Sequence, residues 1–219
     1  VKPKQVRTAA LACSPAEASA KREELPRRSS AAGQRRLAIL DVLLNQPGPV
    51  EAAWLYAESG GNLSDLKALE KLGLLRLGEA ETWRDPLAEL EFVPVEPPPL
   101  MVDQQAAWLV IQQGVQQAAA GKFVRPFLLH GVTGSGKTEI YMQAVTETLR
   151  LGRQAVVLVP EIALTPQTVR RFLSRFPGQV GVVHSRLSAG ERYDTCRRAR
   201  QGQLPVIVGP RSAIFAPLE

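Results

Sequence analysis

The sequence predicts an α/β protein in which a lobe built on a mostly parallel sheet follows a small helical module. Three observations predict this. Residues 101–219 alternate short apolar runs with amphipathic stretches long enough to serve as crossover helices. A glycine-rich loop, residues 131–138, stands between one such run and one such helix. Residues 86–100 are rich in Pro and acids and close on Pro97-Pro98-Pro99, a semi-rigid spacer that separates this pattern from three short helical segments upstream.

Composition narrows the class. With 219 residues, 45% hydrophobic and 22% charged, the chain has room for two small domains. No apolar run approaches the roughly 20 residues of a membrane span, and Val1-Lys2-Pro3-Lys4 lacks the apolar stretch of a signal peptide, so a cytoplasmic protein is expected. Cys13 and Cys196 lie far apart and neither belongs to a Cys-x-x-Cys pair, which argues against a disulfide framework or a zinc site. The net charge of +6 is unevenly spread: +6 over residues 1–36, −7 over 37–100 and +7 over 101–219. The two basic ends are candidate surfaces for nucleic acid, and the acidic middle is a poor one.

Residues 1–33 mix Ala, Ser, Pro and charge without a clear period and read as a basic connector with no assigned fold. Over residues 34–85 the pattern tightens. Leu37, Leu40 and Leu44, with Ile39 and Leu43 beside them, form a helical stripe ended by Asn45-Gln46-Pro47-Gly48. A second helix is expected over residues 50–58, and Asn62 caps a third that carries Leu63, Leu66 and Leu69 and ends at Gly73. Two extended runs, residues 74–77 and 81–83, would make a hairpin. Three helices and a hairpin outline a winged helix-turn-helix. Its third helix offers Lys67 and Lys71 beside Asp65 and Glu70, with no Asn, Gln or Arg to grip base edges, so packing or shape reading is expected of it.

In the lobe, strands are expected at residues 127–130, 155–159, 180–183 and 206–208. Helices are expected from Lys137 to Leu151, from a Thr165 cap with Pro166 in the first turn to Phe176, and from the Ser188-x-x-Glu191 capping box to Gln201. In such a sheet the loops after the strands share one edge, where ligands bind.

Gly131-Val132-Thr133-Gly134-Ser135-Gly136-Lys137-Thr138 satisfies the phosphate-loop pattern in full. Its glycines let successive N–H groups point at phosphate oxygens, and the following helix offers its N-terminal donors and dipole to the same charge. Lys137 reaches the β- and γ-phosphates, and the Thr138 hydroxyl supplies one Mg²⁺ ligand. Kinases, GTPases and motors share this loop, so it does not specify what the energy drives.

Its neighbours do. Residues 159–167, Val-Pro-Glu-Ile-Ala-Leu-Thr-Pro-Gln, resemble the first DNA-contacting motif of superfamily 2 helicases. Together with the loop, His184-Ser185, Ser188, Glu191-Arg192 and the run Val208-Gly209-Pro210-Arg211-Ser212-Ala213-Ile214-Phe215-Ala216-Pro217, they are similar in order and spacing to the primosomal protein N′ (PriA) family of replication-restart helicases. The resemblance is dense over residues 101–219 and collinear across the winged helix. It implies a partial RecA-like lobe and an ATP-dependent 3′–5′ DNA helicase that recognises forks and helps assemble the primosome, with single-stranded-DNA-binding protein and primosome proteins as partners. It also implies that Gln105 reads adenine, the alternative being a solvated helix residue. Glu161, Thr165 and Gln167 would lie along single-stranded DNA, Thr165 serving equally as a helix cap, and Arg211 and Ser212 match a second strand-contacting motif. His184 reads either as a site residue or as a satisfied structural one.

Two departures stand out. Pro210 replaces the family's usual Thr, removing a backbone donor. The sequence ends at Glu219, ahead of the expected Asp-Glu-x-His motif, so lobe 1 is expected to be truncated and this stretch inactive alone. The family's zinc cysteines, arginine finger and second lobe are expected elsewhere in a longer chain. A non-catalytic fork-binding scaffold derived from a helicase is the alternative; the intact loop argues against it, and a P-loop kinase or transporter leaves the Glu161–Gln167 and Arg211-Ser212 segments unexplained.

Overall fold

The computed structural model describes residues 1–24, 30–46 and 48–218; Pro47 of the expected turn and the final Glu219 lie outside them. The chain divides into two compact units, Pro3–Thr82 and, with Val1–Lys2, Trp83–Glu219. Each is a separate packing problem.

The first unit opens with a strand, β1 (Lys4–Leu11), followed by α1 (Pro15–Glu24), α2 (Ala31–Leu44), β2 (Val50–Glu51), α3 (Ala52–Ser59), α4 (Leu63–Lys71) and β3 (Leu75–Thr82). The expected connector over residues 1–33 is therefore corrected. β1 is the central strand of an antiparallel sheet of order β2-β1-β3, in register with β3 from Lys4 opposite Thr82 to Leu11 opposite Leu75. The expected hairpin over residues 74–83 is one continuous strand, and its partner is the distant N-terminus. Small residues hid the pattern: Ala9 and Ala10 are the buried positions of β1, and alanine carries little strand signal. α1 does have a signature, Ser14-Pro15-Ala16-Glu17. Ser14 N–H donates to Glu17 Oε2 at 3.0 Å and Glu17 N–H to Ser14 Oγ at 3.3 Å, a capping box with Pro at the first turn.

Ile39, Leu40 and Leu43 of α2 are fully buried with Leu55, Leu66, Leu69, Leu74 and Leu75, while Leu37 and Leu44 are half-buried. Asn62 caps α4 by accepting from Ser64 N at 2.9 Å and Asp65 N at 3.2 Å. Asp65 does not face outward as a charge on a reading helix: it is buried and pairs with Arg35 at 2.8 Å and Arg36 at 3.3 Å.

The second unit begins by fastening residues 83–95 to the lobe, where a spacer was expected over residues 86–100. It contains α5 (Val102–Ala119), α6 (Lys137–Arg150), β4 (Ala155–Leu158), α7 (Pro166–Arg175), β5 (Val180–Val182), α8 (Ala189–Arg200) and β6 (Val206–Gly209), with 3-10 turns at Glu161–Ala163 and Arg211–Phe215. Arg84 donates from its backbone N–H and from Nη1 to the buried Asp194 of α8, at 3.0 and 2.9 Å. Asp85 pairs with Arg198 at 2.8 Å, and the Arg197 guanidinium lies 5.0 Å from the centre of the Trp83 ring. Leu87, Leu90 and Phe92 pack on the core, and Val95 N–H donates to Ser174 O at 3.0 Å. Proline and acid content hid three apolar anchors in this segment.

The sheet is parallel, with order β4-β6-β5, as α/β patterning requires. Val206, Ile207 and Val208 of the central strand are fully buried. One face packs on Val169, Phe172 and Leu173 of α7 and Met142 and Val145 of α6; the other on Ala199 and Leu204. Gly209 ends β6 where an added Cβ would stand 2.2 Å from Val183 O, a backbone approach that only glycine allows.

The strand expected at residues 127–130 does not form, so the described lobe has three strands rather than four. An apolar run becomes a strand only where a neighbour supplies a ladder, and residues 122–132 find none among the described residues. Leu128 is 93% exposed, and the Phe127 ring lies over Gly114 of α5.

α5 is tied to α6 through Glu147, which accepts from Gln116 Nε2 at 2.8 Å and from Arg150 Nε and Nη2 at 2.7 Å each. The Arg150 guanidinium, then Gln116, hold its carboxyl down at about 2. A depressed carboxyl pKa contributes stability above its ordinary value of 4.5 and loses it as pH falls toward 2. Glu147→Gln should therefore destabilise the protein, with a gap to wild type that is widest above pH 4.5 and closes toward pH 2. Urea unfolding across that range measures it; a gap independent of pH would contradict this role.

Candidate functional site

α6 starts without a side-chain cap. Its N-cap is Gly136, in the left-handed region at φ 78°, and Gly134 two residues earlier has φ 84°. Only glycine takes this backbone cheaply. No side chain caps the positive end of this 14-residue helix, where Glu139 N–H donates to Gly136 O at 2.9 Å and the preceding donors have no cap acceptor. Such an end is a ready anion site.

The loop is braced from two sides. The Lys137 ammonium turns back and donates to Gly131 O and Val132 O at 2.7 Å each, with Ser135 Oγ at 3.5 Å. From α5, Gln104 Nε2 donates to Ser135 O at 3.0 Å while its Oε1 accepts from Met101 N–H at 2.9 Å. Gln104 lies so close that a Cβ on residue 136 would meet its Nε2 at 2.2 Å. Gln105, the residue singled out from the sequence, is exposed on α5 and is not the one that reaches the loop. Adjacent glutamines on a helix point about 100° apart, so a one-position shift decides which can touch.

A cleft of about 960 Å³ opens in front of the loop. Thr133, Gly134, Gly136, Lys137 and Thr138 form one wall; Gln167, Arg170, Arg171 and Arg175 of α7 face them. The donor set, with an uncapped helix end, one ammonium and a wall of guanidinium groups, fits a polyphosphate. Thr138 is exposed, so its hydroxyl is open to a cation held by that phosphate. Among the described residues no cluster of three His, Cys, Asp or Glu side chains could hold a metal by itself.

A second cleft, of about 690 Å³, lies at the C-terminal ends of the strands. It gathers Leu158 to Ile162 after β4, Ser185 after β5, and Pro210, Arg211 and Ser212 after β6. Ser185 Oγ donates to Glu161 Oε1 at 2.6 Å, joining two of these loops. Glu161, Arg211 and Ser212 are therefore brought together as expected of neighbours on one edge. Thr165 caps α7, accepting from Thr168 N–H at 3.2 Å, and Gln167 sits on the wall of the first cleft rather than beside Glu161. His184 accepts from Arg186 N–H through Nδ1 at 3.2 Å. Burial first, then Arg186, push it below its ordinary value. Ser185, not His184, lines the second cleft. Gln104, Ser185 and the three α7 arginines stand at the two clefts without a role assigned from the sequence; Ser185 belongs to the His184-Ser185 pair of the family resemblance, and the recurrence of Arg at 170, 171 and 175 on an amphipathic helix is a signal for the arginines.

Residues 103–218 match the family model for DEAD/DEAH box helicases. The chain belongs to the DEAD/DEAH box helicase family. Within it the chain is similar to replication restart protein PriA of Bacillus subtilis, 43% identical over 208 residues, which is 93% of this chain and 25% of that protein. PriA of Synechocystis is 42% identical over 82% of this chain and 21% of its own length, and PriA of Haemophilus influenzae 55% identical over 41% and 12%. The chain thus spans about a quarter of the length of the PriA relatives that it matches most fully. Among the described residues no helix is long and apolar enough to cross a membrane.

The bracing of the loop yields a direct test. Gln104→Ala should weaken binding of an ATP analogue roughly 3- to 10-fold, the worth of one hydrogen bond, while Gln105→Ala stays near wild type. Fluorescence titration distinguishes the two, and a larger loss in Gln105→Ala than in Gln104→Ala would contradict this bracing.

Proposed function

We propose that this chain is the nucleotide- and strand-binding part of an ATP-dependent DNA helicase of replication restart, which moves 3′ to 5′, recognises forks and helps assemble the primosome. The observation that carries this is the pairing of an uncapped, glycine-built helix end with a second cleft on the strand ends of the same sheet. One site suits a triphosphate and the other an extended polyanion.

In this reading the N–H groups of residues 131–138 and the Lys137 ammonium bind the phosphates of ATP, the ammonium exchanging its loop carbonyls for phosphate oxygens. Thr138 holds Mg²⁺, and Gln104 keeps the loop in register. Bound ATP supplies a phosphoryl group whose transfer to water releases the energy. Glu161, Thr165, Arg211 and Ser212 contact single-stranded DNA; Arg211 supplies charge to a phosphate, Ser212 a hydroxyl donor, and Glu161 holds Ser185 in place. Pro210 leaves Arg211 free, since it removes only its own backbone donor. Gln167 belongs to the wall facing the triphosphate. The Pro3–Thr82 unit is a winged helix that packs or reads shape. Single-stranded-DNA-binding protein and primosome proteins are the partners, and the protein works on the nucleoid.

The test is unwinding and ATP hydrolysis by the intact protein. Duplexes with a 3′ single-stranded tail should be opened and those with a 5′ tail left closed. Lys137→Ala should lower DNA-stimulated hydrolysis on the order of 10²-fold. Residues 1–219 alone should turn over negligibly. Opening from 5′ tails, or robust turnover by residues 1–219 alone, would refute the reading.

A further inference from the structure

We propose that the ion pair between Glu139 and Arg175 is a positioning device that couples the phosphate loop to the strand-contacting end of α7; the proposal rests on the reading of the two clefts given above.

Glu139 follows Thr138 directly and lies in the first turn of α6. A carboxylate there is favourable for an isolated helix, but beside an anion site it competes with the phosphate for the same positive end. The structure removes that conflict. Arg175 Nη2 donates to Glu139 Oε1 at 3.0 Å, and Gln143 Nε2 donates to the same oxygen at 3.2 Å. The Arg175 and Glu139 side chains are only 9% and 16% exposed, so salt screens the pair weakly. The guanidinium neutralises the carboxylate and turns it toward α7.

Arg175 is the last residue of α7. At its other end, Thr165 caps the helix and the chain runs back through residues 160–164 into the second cleft. A helix of ten residues is a rod about 15 Å long. Its apolar face, Val169, Phe172 and Leu173, shares one hydrophobic core with Met142 and Val145 of α6. Packed apolar faces permit small sliding of one helix along another, whereas a guanidinium fork bonded to a fixed oxygen does not. The ion pair therefore sets the register of α7 on α6. Displacement of the α7 N-terminus by a bound strand is transmitted to the first turn of α6, and nucleotide binding at that turn is transmitted back, as linkage requires.

The test uses the intact protein and a fluorescent ATP analogue titrated with and without a saturating single-stranded oligonucleotide, with thermal melting alongside. Wild type should bind the analogue with an affinity changed about 5-fold or more by the strand. In Arg175→Gln, affinity without DNA should fall several-fold, because Glu139 then stands unneutralised beside the phosphate site. Adding Glu139→Gln should recover that affinity. Neither variant should regain the effect of the strand, and Arg175→Lys should restore part of it. A merely structural pair predicts that affinity and melting temperature fall in Arg175→Gln and recover together in the double variant, because Glu139 is then an unpaired buried charge, while the effect of the strand persists in every folded variant. A wild-type strand effect that persists in folded Arg175→Gln, or its absence from wild type, overturns the coupling. Failure of wild type to bind the analogue at all overturns the reading of the loop, and the proposal with it.

Discussion

A helix end that is to receive an anion must be left uncapped, and an uncapped end must be held in place by something other than its own cap. The rest of the second unit follows from this constraint. Gly136 gives up the side-chain bond that Ser30, Asn62, Thr165 and Ser188 make at their helices. Bracing then comes from outside, through Gln104 on the Ser135 carbonyl and Lys137 on two more. Gln104 can do this only because α5 lies fixed along α6, which is the work of Glu147 and Gln116 and of the Phe127 ring seated at Gly114. Far side and near side of the same helix are thus linked: a buried carboxylate near the end of α6 secures the helix that secures the loop at its start.

The parallel sheet makes the second cleft in the same way. Strands made of apolar residues and glycine carry no polar side chains of their own, so chemistry gathers where they stop. Residues 158–162, Ser185 and residues 210–212 meet because β4, β5 and β6 end together. The close approach of Gly209 to Val183 O holds two of those ends in contact. Residues 83–92 add a clasp of charge and aromatic contacts on α8, the helix that follows Ser185.

Much of this was legible in the sequence. The phosphate loop, the α/β class and the caps at Asn62, Thr165 and Ser188 are local signals, and local signals survive folding. What escaped detection depends on distant partners. The strand Lys4–Leu11 is alanine-rich and pairs with a segment some seventy residues later in sequence; nothing near it announces that pairing. Residues 127–130 carry the apolar run of a strand without a ladder to join. Gln104 and Gln105 cannot be ranked by composition, because only the rotation of α5 against the loop separates them. Gln167 closes the run of residues 159–167 in sequence yet lines the cleft of the phosphate loop rather than that of Glu161, since the start of α7 carries its side chain from one cleft to the other.

The central claim is that the N–H groups of residues 131–138 and of the first turn of α6 are the phosphate-binding donors. Amide hydrogen exchange of this segment, followed by mass spectrometry with and without ATP and Mg²⁺, tests it most directly. The account predicts that exchange slows across the loop and the first turn of α6 when the nucleotide is added, and that Lys137→Ala abolishes the slowing. Unchanged exchange at the loop, with protection elsewhere in the chain, would contradict it.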